Sequence, residues 1–452
     1  MTKELFKRQA LGDLQRWKAD LARKPLVIRG ARQVGKSSLV RLFSKEYRRY
    51  AELNLEKPVH AALFRRGLSL TELVQAIQLE CRLPTGNEPW LLCLDEIQEV
   101  PDAVAILRFF YEERPDIHVI AAGSLLETAM DAAAISFPVG RVQFLHMRPL
   151  CFEEFLVVMG ESAAAEAWRT VPVPAFAHAR LLALFHTYAL TGGMPEAVLR
   201  YRQTQGDLAA VNEVYADLIA AFRDDISKYG RNDTMRRILL HCLDTAPYQI
   251  GSRITFNGFG GSNYQSREVG EALRTLERAK LLELVYPTVH GQEPLMPDHK
   301  KSPRLQFLDA GLVNHVAGLQ RELIGVRDLT GVYRGRLIEQ LVGQEIKATD
   351  SRRDVPLVFW VRDKAQANAE VDFLLRTDEG VVPVEAKSGA VGKLRSLHEF
   401  LLRNPALIAV RLYAGEYLEH PITVGDRTCL LINIPYYAAG LLPQYIRMQR
   451  TS

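Results

Sequence analysis

Leu26-Val27-Ile28-Arg29-Gly30-Ala31-Arg32-Gln33-Val34-Gly35-Lys36-Ser37 decides the reading of this chain. An apolar run leads into Gly30, four residues follow, and Gly35-Lys36-Ser37 opens a helical pattern. This is the G-x-x-x-x-G-K-[ST] spacing of a phosphate-binding loop, set between a strand and a helix as the chemistry requires. Gly30 and Gly35 let the backbone curl so that its N–H groups point inward, and with the following helix N-terminus they make an anion site. Lys36 adds a point charge against the β- and γ-phosphates, and Ser37 offers a hydroxyl to Mg²⁺. The expected nucleotide contacts are therefore Gly30, Ala31, Arg32, Gln33, Val34, Gly35, Lys36, Ser37 and Ser38. The plain alternative is a glycine-rich turn with a chance Lys-Ser.

Downstream, Trp90-Leu91-Leu92-Cys93-Leu94 ends in Asp95-Glu96. A buried strand with two acids at its C-terminal end suits a nucleotide triphosphatase. Asp95 can support Mg²⁺ and Glu96 can polarise the attacking water. Ile117-His118-Val119-Ile120-Ala121-Ala122-Gly123-Ser124 reads as another buried strand. Strand C-termini line the ligand crevice of a parallel sheet, so Ser124 is placed to sense the γ-phosphate. It can equally cap a helix starting at Leu125. Arg141 follows the turn Pro138-Val139-Gly140 and reads either as an arginine finger or as a local ion-pair partner.

Composition bounds the remaining choices. The 452 residues allow two to four domains. Lys plus Arg number 57 against 53 Asp plus Glu, a formal net charge of +4, which excludes a wholly basic nucleic-acid coat but not a local basic face. Cys81, Cys93, Cys151, Cys242 and Cys429 are scattered without C-x-x-C spacing, and read as reduced core residues of a cytoplasmic protein. No signal peptide and no apolar run long enough to span a bilayer is read.

Apolar spacing predicts helices over residues 4–22, 36–47, 70–83, 211–229 and 266–280, and a strand at 51–55. Residues 151–202 read as helical, broken at Val171-Pro172-Val173-Pro174 and at Gly192-Gly193-Met194-Pro195. From residue 235 the order becomes helix, Gly-rich loop, helix, then strands at 281–286 and 304–308. That is winged-helix order, with Arg267, Arg274, Arg278 and Lys280 on the second helix and Lys300, Lys301 and Arg304 near the wing. It suits contact with DNA. It equally suits protein docking or a lid.

A helix over 331–347 carries Glu339 and Glu345. A strand at 356–360 follows, then Glu370-Val371-Asp372-Phe373-Leu374-Leu375, a turn at 377–380, and Val381-Val382-Pro383-Val384-Glu385-Ala386-Lys387. Asp, then Glu-x-Lys one hairpin later, is the PD-(D/E)-x-K pattern of restriction-endonuclease-like folds, with Val371 in place of Pro. A tight turn pairing Arg376 with Val381 sets Asp372 opposite Glu385 and Glu370 opposite Lys387, all on one face. Val371, Phe373, Val382, Val384 and Ala386 then fall on the other, apolar face. Two carboxylates that close call for a cation such as Mg²⁺ between them. Lys387 is placed to stabilise charge on the phosphate. The plain alternative is a solvated strand face of simple ion pairs. A helix at 394–402 and strands at 407–412 and 428–433 complete a mixed sheet.

Gly30–Ser37, Leu94-Asp95-Glu96-Ile97-Gln98, Gly123-Ser124, Gly140-Arg141-Val142, Leu190-Thr191-Gly192-Gly193-Met194-Pro195 and Asp225-Ile226-Ser227-Lys228 together resemble a prokaryotic AAA-type ATPase family whose members carry a C-terminal domain of unknown function. Ser37 stands where Thr is commoner. The resemblance implies an α/β AAA-type P-loop core with a parallel sheet over residues 1–165, a helical connection over 166–234, a winged-helix segment over 235–310 and a nuclease-like mixed-sheet domain over 311–452. Glu339 matches the family's acidic helix position, which adds it to Asp372 and Glu385 as an expected metal ligand. Ser37 and Asp95 are the expected ligands at the nucleotide. The implied cofactors are ATP and Mg²⁺. The implied partners are DNA and further copies of the chain, with no membrane. A regulatory switch whose C-terminal part binds DNA or a protein without cutting is the competing reading.

Overall fold

The computed structural model describes residues 5–84, 86, 88–123, 126, 137–227, 229–324, 329, 335–362, 369–386 and 394–449. Ser124, Leu125, Lys228 and Lys387 lie outside them. The chain forms two compact units. The first runs to Pro149 and takes in Arg278–Lys280 and Asp350–Asp354, and the second holds the remainder.

The first unit is built on strands β1 (Leu26–Arg29), β2 (Tyr50–Asn54), β3 (Trp90–Asp95), β4 (Ile117–Ala122) and β5 (Gln143–His146), ordered β2-β3-β4-β1-β5 with every pairing parallel. β3 and β4 are buried at every position, as continuous apolar runs must be when helices cover both faces of a sheet. Val27, Leu53, Leu92, Leu94 and Val119 share one core with Leu73 and Ile77 of the helix Leu70–Glu80 and Leu107 and Phe110 of the helix Pro101–Glu113. Ser69 and Glu72 close a reciprocal cap at the start of the first of these helices. β4 separates β1 from β3, so the phosphate loop and Asp95 leave the same end of the sheet one strand apart.

Local boundaries differ from expectation where side chains stop finding a core. The first helix is Ala10–Ala19, shorter than the expected 4–22, and Leu21 lies past its end at 97% exposure. The helix after the loop ends at Ser44. Tyr47 still packs on Phe43 and meets His118 Nδ1 through its hydroxyl at 2.7 Å.

The second unit begins with the helices Phe152–Val158, Ser162–Arg169, His178–Thr191, Pro195–Gln203, Leu208–Ser227 and Asp233–Thr245. Both expected breaks are present. Gly192 has φ +74°, and a Cβ there would lie 2.4 Å from both Asp309 Oδ1 and Tyr215 Oη. The Gly193 N–H donates to Asp309 Oδ2 at 2.6 Å, and Tyr215 Oη donates to Oδ1 at 2.9 Å. The Gly-Gly-Met-Pro stretch thus closes on a buried carboxylate, which accounts for Gly192 structurally.

The helix Ser266–Arg278 precedes β6 (Leu282–Val285) and β7 (Pro287–Thr288), and β8 (Arg304–Phe307) pairs antiparallel with β6. After the helix Arg336–Ala348 come β9 (Phe359–Val361), β10 (Glu370–Val371), β11 (Phe373–Thr377) and β12 (Gly380–Ala386). The helix Arg395–Arg403, then β13 (Ile408–Tyr413), β14 (Leu418–Val424) and β15 (Arg427–Pro435), complete a mixed five-stranded sheet ordered β11-β12-β13-β15-β14. Cys93, Cys151, Cys242 and Cys429 are buried and none of the five cysteines is bridged. Among the described residues, no helix is long and apolar enough to cross a membrane.

Candidate functional site

At the C-terminal end of β1 the chain turns through Gly30, where a Cβ would fall 2.3 Å from the Met147 carbonyl oxygen. Gln33 and Gly35 both take positive φ, +65° and +99°, which curls the loop before the helix Lys36–Ser44 begins. Concave runs of backbone N–H groups of this kind bind anions. Lys36 is buried, and its Nζ donates to the loop's own carbonyls, Gly30 at 3.0 Å and Ala31 at 2.8 Å. Arg8 braces the loop from outside, donating to the Val34 carbonyl and the Arg148 carbonyl, each at 2.8 Å.

Ser37 Oγ donates to Asp95 Oδ2 at 2.9 Å, so the two expected ligands on either side of β4 meet. Burial raises the Asp95 pKa above the usual carboxylate range; the Ser37 hydrogen bond opposes this and the Glu96 charge adds to it. A hydroxyl and a carboxylate in contact at the mouth of a phosphate loop form an oxygen donor pair that fits Mg²⁺. Glu96 sits at φ +51°, which turns its side chain out of the strand line. Gln98 Nε2 donates to Glu96 Oε2 at 2.7 Å. Gly123, at the end of β4, makes room for that amide: a Cβ there would lie 2.1 Å from Gln98 Oε1. Arg141 is half exposed and its Nε pairs with Glu112 Oε1 at 2.7 Å.

Sequence reasoning did not single out Arg8 or Gln98. Gln98 lies within the Asp95-Glu96-Ile97-Gln98 stretch and could have been flagged there. Arg8 reaches the loop only through the fold, and no local signal marks it.

The second group of expected site residues lies on the β10–β12 hairpin and the helix Arg336–Ala348. The hairpin register is as expected, with Arg376 opposite Val381 and Phe373 opposite Val384. Its ladder stops at Phe373, however. Asp372 is a bend, and its Oδ2 accepts from the Ala386 N–H at 3.0 Å. Glu370 does not continue the hairpin towards Lys387; it pairs with Val361 on β9, because the chain changes sheets at Asp372. The expected division into a polar and an apolar face also fails on β12. Val381 through Ala386 are all buried, Glu385 included, since β12 is an interior strand between β11 and β13.

Arg304, expected beside the wing, turns inward instead. Its Nη1 lies 3.3 Å from Glu339 Oε2 and 3.2 Å from Asp372 Oδ1, and its Nη2 lies 2.5 Å from Glu370 Oε2. The guanidinium also stands 4.6 Å over the Phe359 ring. Burial works against its charge, but Glu339, Asp372 and Glu370 together hold its pKa above the ordinary arginine value. Glu339 is pushed up, by burial first and by the Asp372 charge next. Among the described residues, no group of three or more His, Cys, Asp and Glu side chains is gathered to hold a metal ion. Of the three carboxylates expected to hold a divalent ion here, Glu339 and Asp372 face the Arg304 guanidinium, so as arranged those two do not fit one.

Arg267, Arg274 and Arg278 are exposed along the helix Ser266–Arg278, and Lys300 is exposed between β7 and β8. Lys280 pairs with Asp354 at 2.9 Å.

Residues 22–156 match the family model of an AAA domain, a span that holds the loop, Asp95-Glu96 and Gly123. Over those residues the chain is similar to AAA-type P-loop ATPase domains. Residues 182–323 match one domain of unknown function (DUF8612) and residues 334–432 another (DUF4143). No curated protein matches. Solved structures similar to the chain include a Walker-type ATPase of Pyrococcus abyssi, 16% identical with a TM-score of 0.45, over 70% of this chain and 96% of that one. Another is the Orc1 protein of Aeropyrum pernix in complex with DNA, 14% identical with a TM-score of 0.31, over 70% and 94%. A third is a signal-transduction ATPase with a tetratricopeptide repeat sensor from Pyrococcus horikoshii, 12% identical with a TM-score of 0.30, over 76% and 55%.

Proposed function

We propose that the chain hydrolyses ATP with Mg²⁺ at the ATPase domain and couples this to DNA binding by the second unit. The observation that carries the first half is the contact of Ser37 with Asp95 at the mouth of a curled loop, with Glu96 next in sequence. Lys36 and the loop N–H groups hold the phosphates. Ser37 and Asp95 would hold Mg²⁺, which would supply positive charge to the phosphates. Glu96 orients a water for attack on the γ-phosphorus as the bond to the β-phosphate oxygen breaks, and Gln98 keeps the Glu96 carboxylate in place. Glu96→Gln should bind ATP and fail to turn it over. Full ATPase activity in that variant would refute the assignment.

DNA binding rests on the exposed arginines of the helix Ser266–Arg278 beside the β6–β8 pair, read as a winged-helix recognition element. Affinity should fall with salt at a log–log slope of about −0.9 per phosphate neutralised, and Arg267→Glu with Arg274→Glu should weaken it further. DNA affinity that ignores both salt and these changes would overturn this reading.

The β10–β12 hairpin and its flanking sheet carry the nuclease-like pattern, with Asp372, Glu385 and Lys387 as its residues. Of the two readings, cleavage and binding without cleavage, the second is favoured by Arg304, which occupies the acids that a cutting site would give to a metal. A DNA-cleavage assay with Mg²⁺ or Mn²⁺, comparing wild type with Asp372→Ala, separates them: binding without cleavage predicts no Asp372-dependent cutting.

A further inference from the structure

Within the second unit, Glu339, Glu370 and Asp372 converge from three elements: the helix Arg336–Ala348, β10 and the bend before β11. Three carboxylates brought this close repel one another unless positive charge stands among them. Two guanidiniums provide it. Arg304 Nη1 bridges Glu339 and Asp372 at 3.3 and 3.2 Å, which is what a cation shared by two carboxylates does. Glu370 is divided between two arginines, its Oε2 to Arg304 at 2.5 Å and its Oε1 to Arg253 at 3.3 Å. Arg253 and Arg304 face each other across a backbone bridge, so both arrive from one place. The Phe359 ring lies 4.6 Å from the Arg304 guanidinium and adds a cation–π contact.

We propose that Arg304 is the resident cation of the nuclease-like site, keeping it metal-free, and that a divalent ion enters only when this side chain withdraws. The inference rests on the nuclease-like reading of the hairpin. A dication placed beside two guanidiniums would meet like charge. It would also have to break hydrogen bonds that use Asp372 Oδ1 and both oxygens of Glu370. Arg304 opens β8, the strand paired with β6 beside the exposed arginine helix. The segment read as DNA-binding therefore also supplies the plug, and a shift of β8 is the movement that would unplug the acids.

The test is Mn²⁺ binding to nucleotide-free, full-length protein by equilibrium dialysis, in wild type, Asp372→Asn, Arg304→Met, and Arg304→Met with Asp372→Asn. Wild type should show no Mn²⁺ that depends on Asp372. Arg304→Met should bind one Mn²⁺ per chain at least tenfold more tightly than wild type, and the double variant should lose it. Arg304→Met leaves buried carboxylates unpaired, so thermal unfolding is followed in parallel. Its midpoint should rise with Mn²⁺ in Arg304→Met and stay fixed in wild type. If Arg304→Met does not fold, Arg304→Lys, which keeps a charge but loses the fork, should show the same site more weakly. Wild type binding Mn²⁺ through Asp372 as tightly as the Arg304 variants would overturn the plug and leave the metal-site reading standing. No Asp372-dependent binding in any variant would overturn both.

Discussion

Two pairs of strand-end acids in this chain meet opposite fates. Asp95 ends β3 and Glu96 follows it; a serine hydroxyl donates to the first and a glutamine amide to the second, and the Lys36 charge also favours ionised Asp95. Glu370 and Asp372 stand at β10 and the bend beyond it and face a guanidinium. A neutral donor leaves a carboxylate's charge to be met by an incoming cation, whereas an arginine fork has already met it. The residue types at the two places are alike, and what faces them separates the site proposed for Mg²⁺-ATP from the one proposed to be closed to metal.

The largest effect should come from the open site. Glu96→Gln removes the group that orients water and should lower turnover by about 10²- to 10³-fold with ATP still bound; steady-state hydrolysis beside nucleotide titration checks both halves. Lys36→Ala should act on binding instead, costing about 2–3 kcal/mol, or roughly 30- to 150-fold in ATP affinity. Affinity within threefold of wild type would take Lys36 out of the phosphate site.

A smaller effect tests the neutral donors. Gln98→Ala removes the amide from Glu96 and should cost about 1 kcal/mol in the barrier, roughly fivefold in turnover. Gly123→Ala should do the same by displacing that amide, and the two changes combined should cost no more than either alone. Additive losses would mean that Gly123 acts elsewhere.

Glu345 offers a third way to keep an acid indoors. It lies on the same helix as Glu339, but its carboxyl accepts from the Phe152 N–H at 2.9 Å, and burial pushes its pKa up to about 8 from 4.5. Between these values the folded chain holds a proton that the unfolded chain has released, so stability falls as pH rises across that window. One such proton contributes at most about 1.4 kcal/mol per pH unit. Glu345→Gln should flatten this slope in urea unfolding measured from pH 5 to 8, and an unchanged slope would mean that the Glu345 proton does not report on folding.

What the sequence made legible follows from how local each cue is. The loop, Asp95-Glu96 and the 376–381 register are set by neighbours within a few residues, and their placement could be read directly. The helices Pro58–Arg65 and Pro101–Glu113 went unread although each opens on a proline, a permitted first helical position. β14 went unread because nearly all of it is exposed, so it shows no alternation. Arg304 was legible as basic and misplaced as surface. Its direction depends on how β8 lies against acids that come later in the chain, and no window of sequence contains both.

One measurement sets the two acid sites against each other: Mn²⁺ bound per wild-type chain, followed by electron paramagnetic resonance with and without a non-hydrolysable ATP analogue, and repeated in Asp95→Asn and Asp372→Asn. One ion should appear only with nucleotide, weaken in Asp95→Asn and be indifferent to Asp372→Asn. An ion bound without nucleotide and lost in Asp372→Asn, or a nucleotide-dependent ion untouched by Asp95→Asn, would contradict this.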